Sequence, residues 1–517
     1  MEASSGIAPA DDVLPVDAEK SAEKSTEERL EQNEATDKPI SQIPAIDPVI
    51  EKRVVRKLDA RVPVLTAFLC MFVTKCRNRG DAKRFGPEWT QLCLAPDYLL
   101  HFLHALRVSG ADVEGPSPAP MGCHNSSHLL TRCRGIMATC QAAVKNWSGL
   151  MALRFFLGAA EAGFGPGIPY LMSFFYRRRE LGLRCGLFLS AAPLANTFAG
   201  ALAYGITSGH SKLANWRLLF LVEGLPTLLA VPLAWFYLPD SPAEAKFLTE
   251  EEKEVARARS LRRTGEEIQS RGIVWKDIGL TLLDAKAWFT ALWSQDTNTG
   301  HRQQLMYFSC NVSFSSLPVF LPTILKDMGF TAINAQGLTA PPYFLSFLVT
   351  ISTTWIADRL QQRGLMIAFL SFMGAIGYVL LAACFSVGVR YFGVFLAASG
   401  VFPSIANILP WVLNNQGSDT RRGMAMVILN VIGQCGPFLG TNIFPDKDSP
   451  RYVKGQSICA AFMFFNTFLA LSLRTLLAWE NRRLDRRYGT PATQTEDGKG
   501  QVATAEENYG ASFRYVL

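Results

Sequence analysis

Two charged residues stand inside a stretch of the chain that is otherwise apolar. Arg154 and Glu161 lie among Leu, Phe, Ala and Gly in residues 149–175. A charge at the centre of a bilayer costs about 2.5–3.5 kcal/mol on insertion scales, so such residues usually mark a pathway or a binding site. Positions seven apart share one face of a helix, and Gly158 leaves room between them. The pattern favours a helix whose two charges line a pathway or a binding site.

A structural alternative stays open for each of these candidates. Arg154 could instead hold helix ends or partner carbonyls, and Glu161 could make only a structural hydrogen bond. Four candidate asparagines lie in other apolar runs, namely Asn196, Asn311, Asn407 and Asn430. Of these, Asn196, Asn311 and Asn430 are expected to supply neutral hydrogen bonds. An alternative stays open for the amides at Asn407, Asn414, Asn415 and Asn430, each of which either faces the cavity or braces a neighbouring helix.

Long apolar runs predict the helices that position these side chains. About 20 apolar residues cross a hydrocarbon core of ~30 Å. Such runs lie at residues 150–175, 185–207, 218–238, 305–325, 338–357, 365–388, 391–413, 423–444 and 456–477, and a shorter first run is Val62–Thr74. Soluble cores do not contain so many runs of this length. We therefore predict an all-α polytopic membrane protein.

No pattern of catalytic or metal-binding residues competes with this interpretation. Cys123, His124, His128 and Cys133 are close in sequence, but their spacing matches no standard zinc pattern. The spans contain no His-Glu-x-x-His, Gly-x-Ser-x-Gly or paired-aspartate motif. We predict neither an enzyme nor a bound cofactor or metal.

Basic residues cluster between alternate spans, which accounts for the formal net charge of +7 without a nucleic-acid partner. Cytoplasmic loops of membrane proteins carry an excess of Lys and Arg. The clusters are Arg177–Arg179 with Arg184, Arg359 with Arg363, Arg421 with Arg422, and Arg482–Arg483 with Arg486–Arg487. We expect these loops, and both termini, to be cytoplasmic.

Composition divides the chain into five segments. Residues 1–58 are polar and acidic with no aromatic residue, a composition that cannot bury a core, and they contain no apolar signal-peptide core. The predicted segments are a disordered cytoplasmic tail (1–58), an N-terminal helix bundle (59–238, with 76–134 atypical), a cytoplasmic linker (239–287), a C-terminal helix bundle (288–480) and a cytoplasmic tail (481–517) that is disordered from residue 488.

Several motifs resemble one family in the expected order. Arg154–Gly167 resembles a fourth-helix motif, and Tyr176-Arg-Arg-Arg-Glu-Leu-Gly-Leu-Arg the loop after it. Ala357-Asp-Arg-Leu-Gln-Gln-Arg-Gly is similar to an Asp-Arg loop of the second half, and Trp411-Val-Leu-Asn-Asn-Gln-Gly to a signature of helices 10 and 11. The family is the major facilitator superfamily, and within it the fungal anion:cation symporter branch of allantoate and nicotinate permeases.

The resemblance implies a two-bundle fold with a cavity near the bilayer midplane. It also implies proton-coupled uptake of a small organic anion by alternating access, in a monomer embedded in the lipid of the plasma membrane. Asp358, Arg359 and Arg363 would form a conformational latch at the cytoplasmic face. Two other classes remain open, namely a non-transporting nutrient receptor and the non-functional product of a damaged gene model.

Residues 76–134 do not fit the family, because they supply none of the two full spans expected there. The N-terminal half is therefore predicted to be incomplete, with about 10 of 12 spans. Ser294–Gln304 is a second oddity, a polar insert before an apolar run. Our hypothesis is that both stretches are translated intron or a shifted reading frame.

Sequencing the transcript tests this hypothesis. We expect a message in which codons for two further spans replace those for residues 76–134. A message that encodes the printed residues without change contradicts it.

Overall fold

Long helices account for most of the residues that the computed structural model describes, and no strand occurs among them. The described residues are 47–75, 136–137, 139–144, 146–208, 215–237, 239, 245, 247–256, 298–416, 419–489 and 514–517. The helices are α1 (Pro48–Asp59), α2 (Val62–Lys75), α3 (Trp147–Phe175), α4 (Leu181–Ser208), α5 (Asn215–Tyr237), α6 (Asn298–Asp327), α7 (Ala332–Gly337), α8 (Ala340–Leu360), α9 (Arg363–Ala383), α10 (Val387–Asn414), α11 (Asp419–Gly433), α12 (Cys435–Asn442) and α13 (Val453–Tyr488).

A helix lies at each of the ten predicted spans. Five helices of the described part are long and apolar enough to cross a membrane by length and composition: α4, α6, α9, α10 and α13. Predicted span 423–444 is divided at Gln434 into α11 and α12. Pro437 explains the break, because its ring excludes the carbonyl of Gly433 from a continuous helical ladder.

The structure differs from the prediction at three boundaries. Pro48–Asp59 is a helix, although residues up to 58 were predicted to belong to the disordered tail. The helix α6 begins at Asn298, inside the predicted polar insert. Residues 514–517 pack against the helices although they belong to the predicted cytoplasmic tail. The atypical stretch 76–134, its four Cys and His candidates and most of the linker lie outside the described residues.

Exposed aromatic and aliphatic side chains form continuous stripes on two helices. Phe369, Phe372 and Ile376 share one face of α9, and Phe464 and Phe468 share one face of α13. Contiguous apolar surface of this kind is unstable in water. Helices that satisfy their own backbone hydrogen bonds and expose apolar side chains are suited to lipid.

Glycines allow the backbones of α9 and α10 to touch. A Cβ atom built on Gly400 would lie 2.5 Å from the backbone nitrogen of Gly374, and one built on Gly377 would lie 2.5 Å from that of Ala397. Close approach through small residues is a common way to pack helices in membranes. It holds the C-terminal helices α6–α13 together around α10, which is buried along most of its length.

The helix α4 joins the N-terminal helices α2–α5 to the C-terminal helices. It packs along α8, and three of its glycines face the C-terminal helices: Gly182 meets the Asp358 and Arg363 side chains, Gly186 meets Thr354, and Gly200 approaches Thr339. We call the end of the molecule at Gly182 the basic end, because Arg178, Arg184 and Arg363 lie there. The packing places α4 beside the interior of the C-terminal helices.

Candidate functional site

A cavity lies between α4 and the C-terminal helices. Its volume is ≈ 90 Å³, which is room for several water molecules. The described lining consists of residues from α4, α6, α10 and the break between α11 and α12: Leu189, Ala192, Tyr307, Asn311, Phe314, Phe402, Ile405, Gln434 and Pro437. Three aromatic rings and two amides therefore surround the space, and no charged side chain does so among the described residues.

Glycines of α11 and α12 shape one wall of this cavity. A Cβ on Gly433 would collide with the ring of Tyr307, and one on Gly436 would lie 2.6 Å from the carbonyl oxygen of Phe308. Asn311 donates from Nδ2 to the carbonyl oxygen of Gly433 at 3.1 Å. The missing side chain at Gly433 therefore permits both the ring position of Tyr307 and the orientation of Asn311.

The structure separates the four candidate asparagines by their surroundings. Asn311 lines the cavity. Asn407 and Asn430 donate to carbonyl oxygens one turn earlier in their own helices, those of Pro403 at 2.9 Å and Met426 at 2.7 Å. Asn196 is buried in α4 and is not among the residues that line the cavity.

Arg154 and Glu161 both lie in α3, as predicted. Their side chains are outside the described part of the structure, so their roles stay predictions. The three aromatic residues that line the cavity, and Gln434, were missed by the sequence analysis. In an apolar run, an aromatic residue that faces a cavity cannot be distinguished from one that faces lipid. In the described residues, no group of three or more His, Cys, Asp or Glu could hold a metal ion.

Asp358 connects the two sets of helices at the basic end. Its Oδ2 atom accepts a hydrogen bond from the Leu183 backbone nitrogen, in the first turn of α4, at 2.5 Å, and its Oδ1 atom pairs with Arg363. The first amides of a helix have no partner inside the helix and carry partial positive charge. A carboxylate from α8 thus completes the end of α4, and Gly182 leaves the room that this requires.

The other two predicted latch residues have different environments. The Arg363 side chain is 0% exposed and binds Asp358. Arg359 lies on the exposed face of α8, with its guanidinium 4.1 Å from the centre of the Trp355 ring. A contact that the sequence analysis did not anticipate lies nearby, where Asn414 donates from Nδ2 to the Arg178 carbonyl oxygen at 2.9 Å and Arg178 donates back to the Asn414 carbonyl oxygen.

Ion pairs attach α1 and the linker to the N-terminal helices. Arg184 binds Asp59 at 2.6 Å, and Lys57 binds Glu252 at 2.8 Å. Desolvation would raise the pKa of Glu252, but hydrogen bonds from Lys57 and the Thr249 backbone nitrogen hold that pKa below its usual range. A lowered folded-state pKa means that the contact stabilises the fold at neutral pH and is lost as the pH falls through that pKa.

Two sets of membrane helices with a cavity between them are the plan of secondary transporters built from repeats. The chain belongs to the Major Facilitator Superfamily, whose family model matches residues 130–441. It is therefore a multi-pass membrane transporter and not an enzyme.

Relatives and solved structures agree with this assignment. The chain is 29% identical over 478 residues to the MFS-type transporter efuF of Hormonema carpetanum, covering 91% of this chain and 93% of the relative. It is 29% identical over 442 residues to the high-affinity nicotinic acid transporter of Saccharomyces cerevisiae, covering 85% and 80%. The proton:xylose symporter XylE has a similar fold, with a TM-score of 0.61 at 13% identity over 81% of this chain and 96% of that one.

Because Asp358 pairs with Arg363, we predict that removing Asp358 alone destabilises the protein more than removing both charges. Asp358→Asn leaves the buried Arg363 charge without its partner, a loss that typically costs about 3–5 kcal/mol. We expect a clearly lower unfolding temperature in detergent, measured by size-exclusion chromatography after heating. Adding Arg363→Met should recover at least half of the loss, because the remaining site is neutral. Arg359→Met is the control and should change little, and an unchanged unfolding temperature for Asp358→Asn would contradict the account.

Proposed function

We propose that this chain is a proton-coupled permease for a small organic anion, a carboxylate such as nicotinate or allantoate. Transport would occur by alternating access between the N-terminal and C-terminal helices. The similarity to a yeast nicotinic acid transporter over 85% of this chain supports the substrate class. The proposal places the protein in the fungal anion:cation symporter branch and in the plasma membrane, as a monomer without a cofactor.

The cavity is the observation that carries the proposal. Tyr307, Phe314 and Phe402 offer ring faces and edges, and Asn311 and Gln434 offer amide groups. Apolar walls with a few convergent polar groups are typical of small-molecule sites. Phe314 and Phe402 pack edge to face with ring centroids 5.0 Å apart, so a small planar molecule would lie against these rings and bind the amides through its heteroatoms. The cavity is too small for a large substrate without a rearrangement of the helices.

An anion also needs a compensating charge, and the described lining has none. We assign that role to Arg154 on α3 and the transfer of a proton to Glu161, on the basis of their position in an apolar helix. A monovalent anion that moves with one proton is electroneutral, so only the pH gradient would drive it. Moving a net charge is worth about 2.3 kcal/mol per 100 mV, so uptake driven by the membrane potential would require at least two protons per anion.

The basic end is proposed to face the cytoplasm. Arg178, Arg184, Arg359 and Arg363 lie at this end, and the positive-inside rule orients such clusters inward. The helix α13 ends there too, with Arg486 and Arg487 in its last turn. The latch formed by Asp358 and Arg363 would then close the cytoplasmic side of the cavity.

Uptake measurements test the proposed function. Radiolabelled nicotinate and allantoate are offered at pH 5 and pH 7 to transporter-deficient yeast that expresses the chain with an N-terminal tag. We expect uptake at least several-fold faster at pH 5, loss of uptake in Arg154→Gln, and loss of the pH dependence in Glu161→Gln. Surface expression of each variant is the control. Uptake of neither compound at either pH, by a chain present at the surface, would contradict the proposal.

A change at Gly433 tests the cavity without altering any lining side chain chemically. Gly433→Ala forces the Tyr307 ring to move, because the added methyl group occupies its place. We expect uptake to fall by at least tenfold at normal surface expression. The matched control is Gly388→Ala in α10, because no atom of the described residues lies within 4 Å of a Cβ built there. Equal uptake by the two variants would exclude Tyr307 from the transport site.

A further inference from the structure

Residues 514–517, which we call the tail segment, lie in a groove at the basic end. Tyr515, Val516 and Leu517 pack against the same hydrophobic core that contains Trp411. The groove is formed by the C-terminal end of α10, the N-terminal end of α9 and the last turns of α13. None of its residues belongs to the cavity described above.

Two asparagine side chains bind the tail segment through its backbone. Asn415 accepts from the Val516 nitrogen at 2.8 Å and donates to the Val516 carbonyl oxygen at 3.2 Å. Asn481 makes the same pair of bonds with Tyr515, at 2.8 Å and 2.9 Å. Trp411 donates from Nε1 to the Val516 carbonyl oxygen at 2.7 Å. Each asparagine amide thus bonds both the N–H and the C=O of one residue of the tail segment, so the groove is built to hold this backbone.

Both ends of the tail segment are also fixed. Arg514 binds Asp485 at 2.7 Å and donates to the Gly489 carbonyl oxygen at 2.6 Å. The Gly364 nitrogen, which lies at the start of α9, donates to the Leu517 carbonyl oxygen at 3.2 Å. The segment therefore ties α9, α10 and α13 together where these helices meet.

The tail segment also reaches the contact between the two sets of helices. Arg178, from the loop that follows α3, donates to the carbonyl oxygens of Arg514, at 3.4 Å, and of Asn414. Asn414 returns a hydrogen bond to Arg178, and its neighbour Asn415 holds Val516. One short peptide thus supports the contact that must break if the basic end is to open.

We propose that the tail segment is an intramolecular latch: while docked on Trp411, Asn415 and Asn481 it holds the basic end closed, and its release allows that end to open. The inference rests on the alternating access of the proposed function, but not on the identity of the substrate. A ligand that binds one conformation better shifts the population toward that conformation. The tail segment acts as such a ligand, although it is part of the same chain, and it favours the closed basic end.

The first arm of the test needs no substrate. Ala192→Cys places a thiol in the cavity, and the rate at which this thiol reacts with a maleimide is measured in nanodiscs. The labelling rate of the chain without Ala192→Cys is subtracted as background. Deletion of residues 514–517 should raise the rate at least threefold, and so should Asn481→Leu. Glu480→Gln is the matched control on the neighbouring residue and should leave the rate unchanged. A synthetic Arg-Tyr-Val-Leu peptide should restore slow labelling of the shortened chain.

The second arm measures nicotinate uptake. We expect Asn481→Leu and Trp411→Phe to raise the maximal rate at least twofold with little change in KM, because the cavity itself is untouched. Faster labelling without nicotinate uptake would support the latch and count against the proposed substrate. If the shortened chain and Asn481→Leu are labelled no faster than Glu480→Gln, the tail segment is not a latch, whatever the uptake result.

Discussion

The carboxylate of Asp358 is the charge on which the arrangement of the two sets of helices depends. It accepts from the Leu183 nitrogen at the start of α4 and pairs with Arg363, which is fully buried. Hydrogen bonds to an ionised group are about twice as strong as neutral ones, and a helix start favours a negative charge. The hydrogen bond between Leu183 and Asp358 joins the N-terminal half of the chain to the C-terminal half. Its stability requires Gly182, because any side chain there would occupy the space of the ion pair.

The position of the cavity follows from this contact. With its first turn held by α8, the helix α4 continues along the C-terminal helices and brings Leu189 and Ala192 to the space opposite Tyr307 and Phe402. In the proposed alternating access, the same contact would be released for a substrate to leave at the basic end. A carboxylate that binds a backbone N–H and an arginine together is suited to this task, because water can replace both partners when the halves separate. The contact between Arg178 and Asn414, supported by the tail segment, has the same property.

The sequence predicted the helices well and the site only in part. Long apolar runs have one physical solution in lipid, so helix positions followed from hydropathy, and proline explained the break near Pro437. Asn311 was predicted as a cavity residue, but Tyr307, Phe314 and Gln434 were missed. When both faces of a helix are apolar, the sequence does not show which side chains point toward a cavity and which toward lipid. The helix α1 and the tail segment were assigned to disordered tails, since their order comes from contacts with distant residues such as Arg177 and Asn481 and not from local composition. Arg154 and Glu161, the strongest sequence signals, remain predictions about side chains outside the described part.

We infer that the contact of Asp358 with α4 holds the basic end closed and is broken during transport. Spin labels on Arg179→Cys and Arg483→Cys, exposed residues of the N-terminal and the C-terminal half of the chain, report the separation of the halves as a distance distribution measured by pulsed electron resonance. We expect one short distance for the unliganded chain and a second, longer distance when nicotinate is added at pH 5. Asp358→Asn should populate the longer distance without substrate. A single distance that is unchanged both by this substitution and by substrate would contradict the claim.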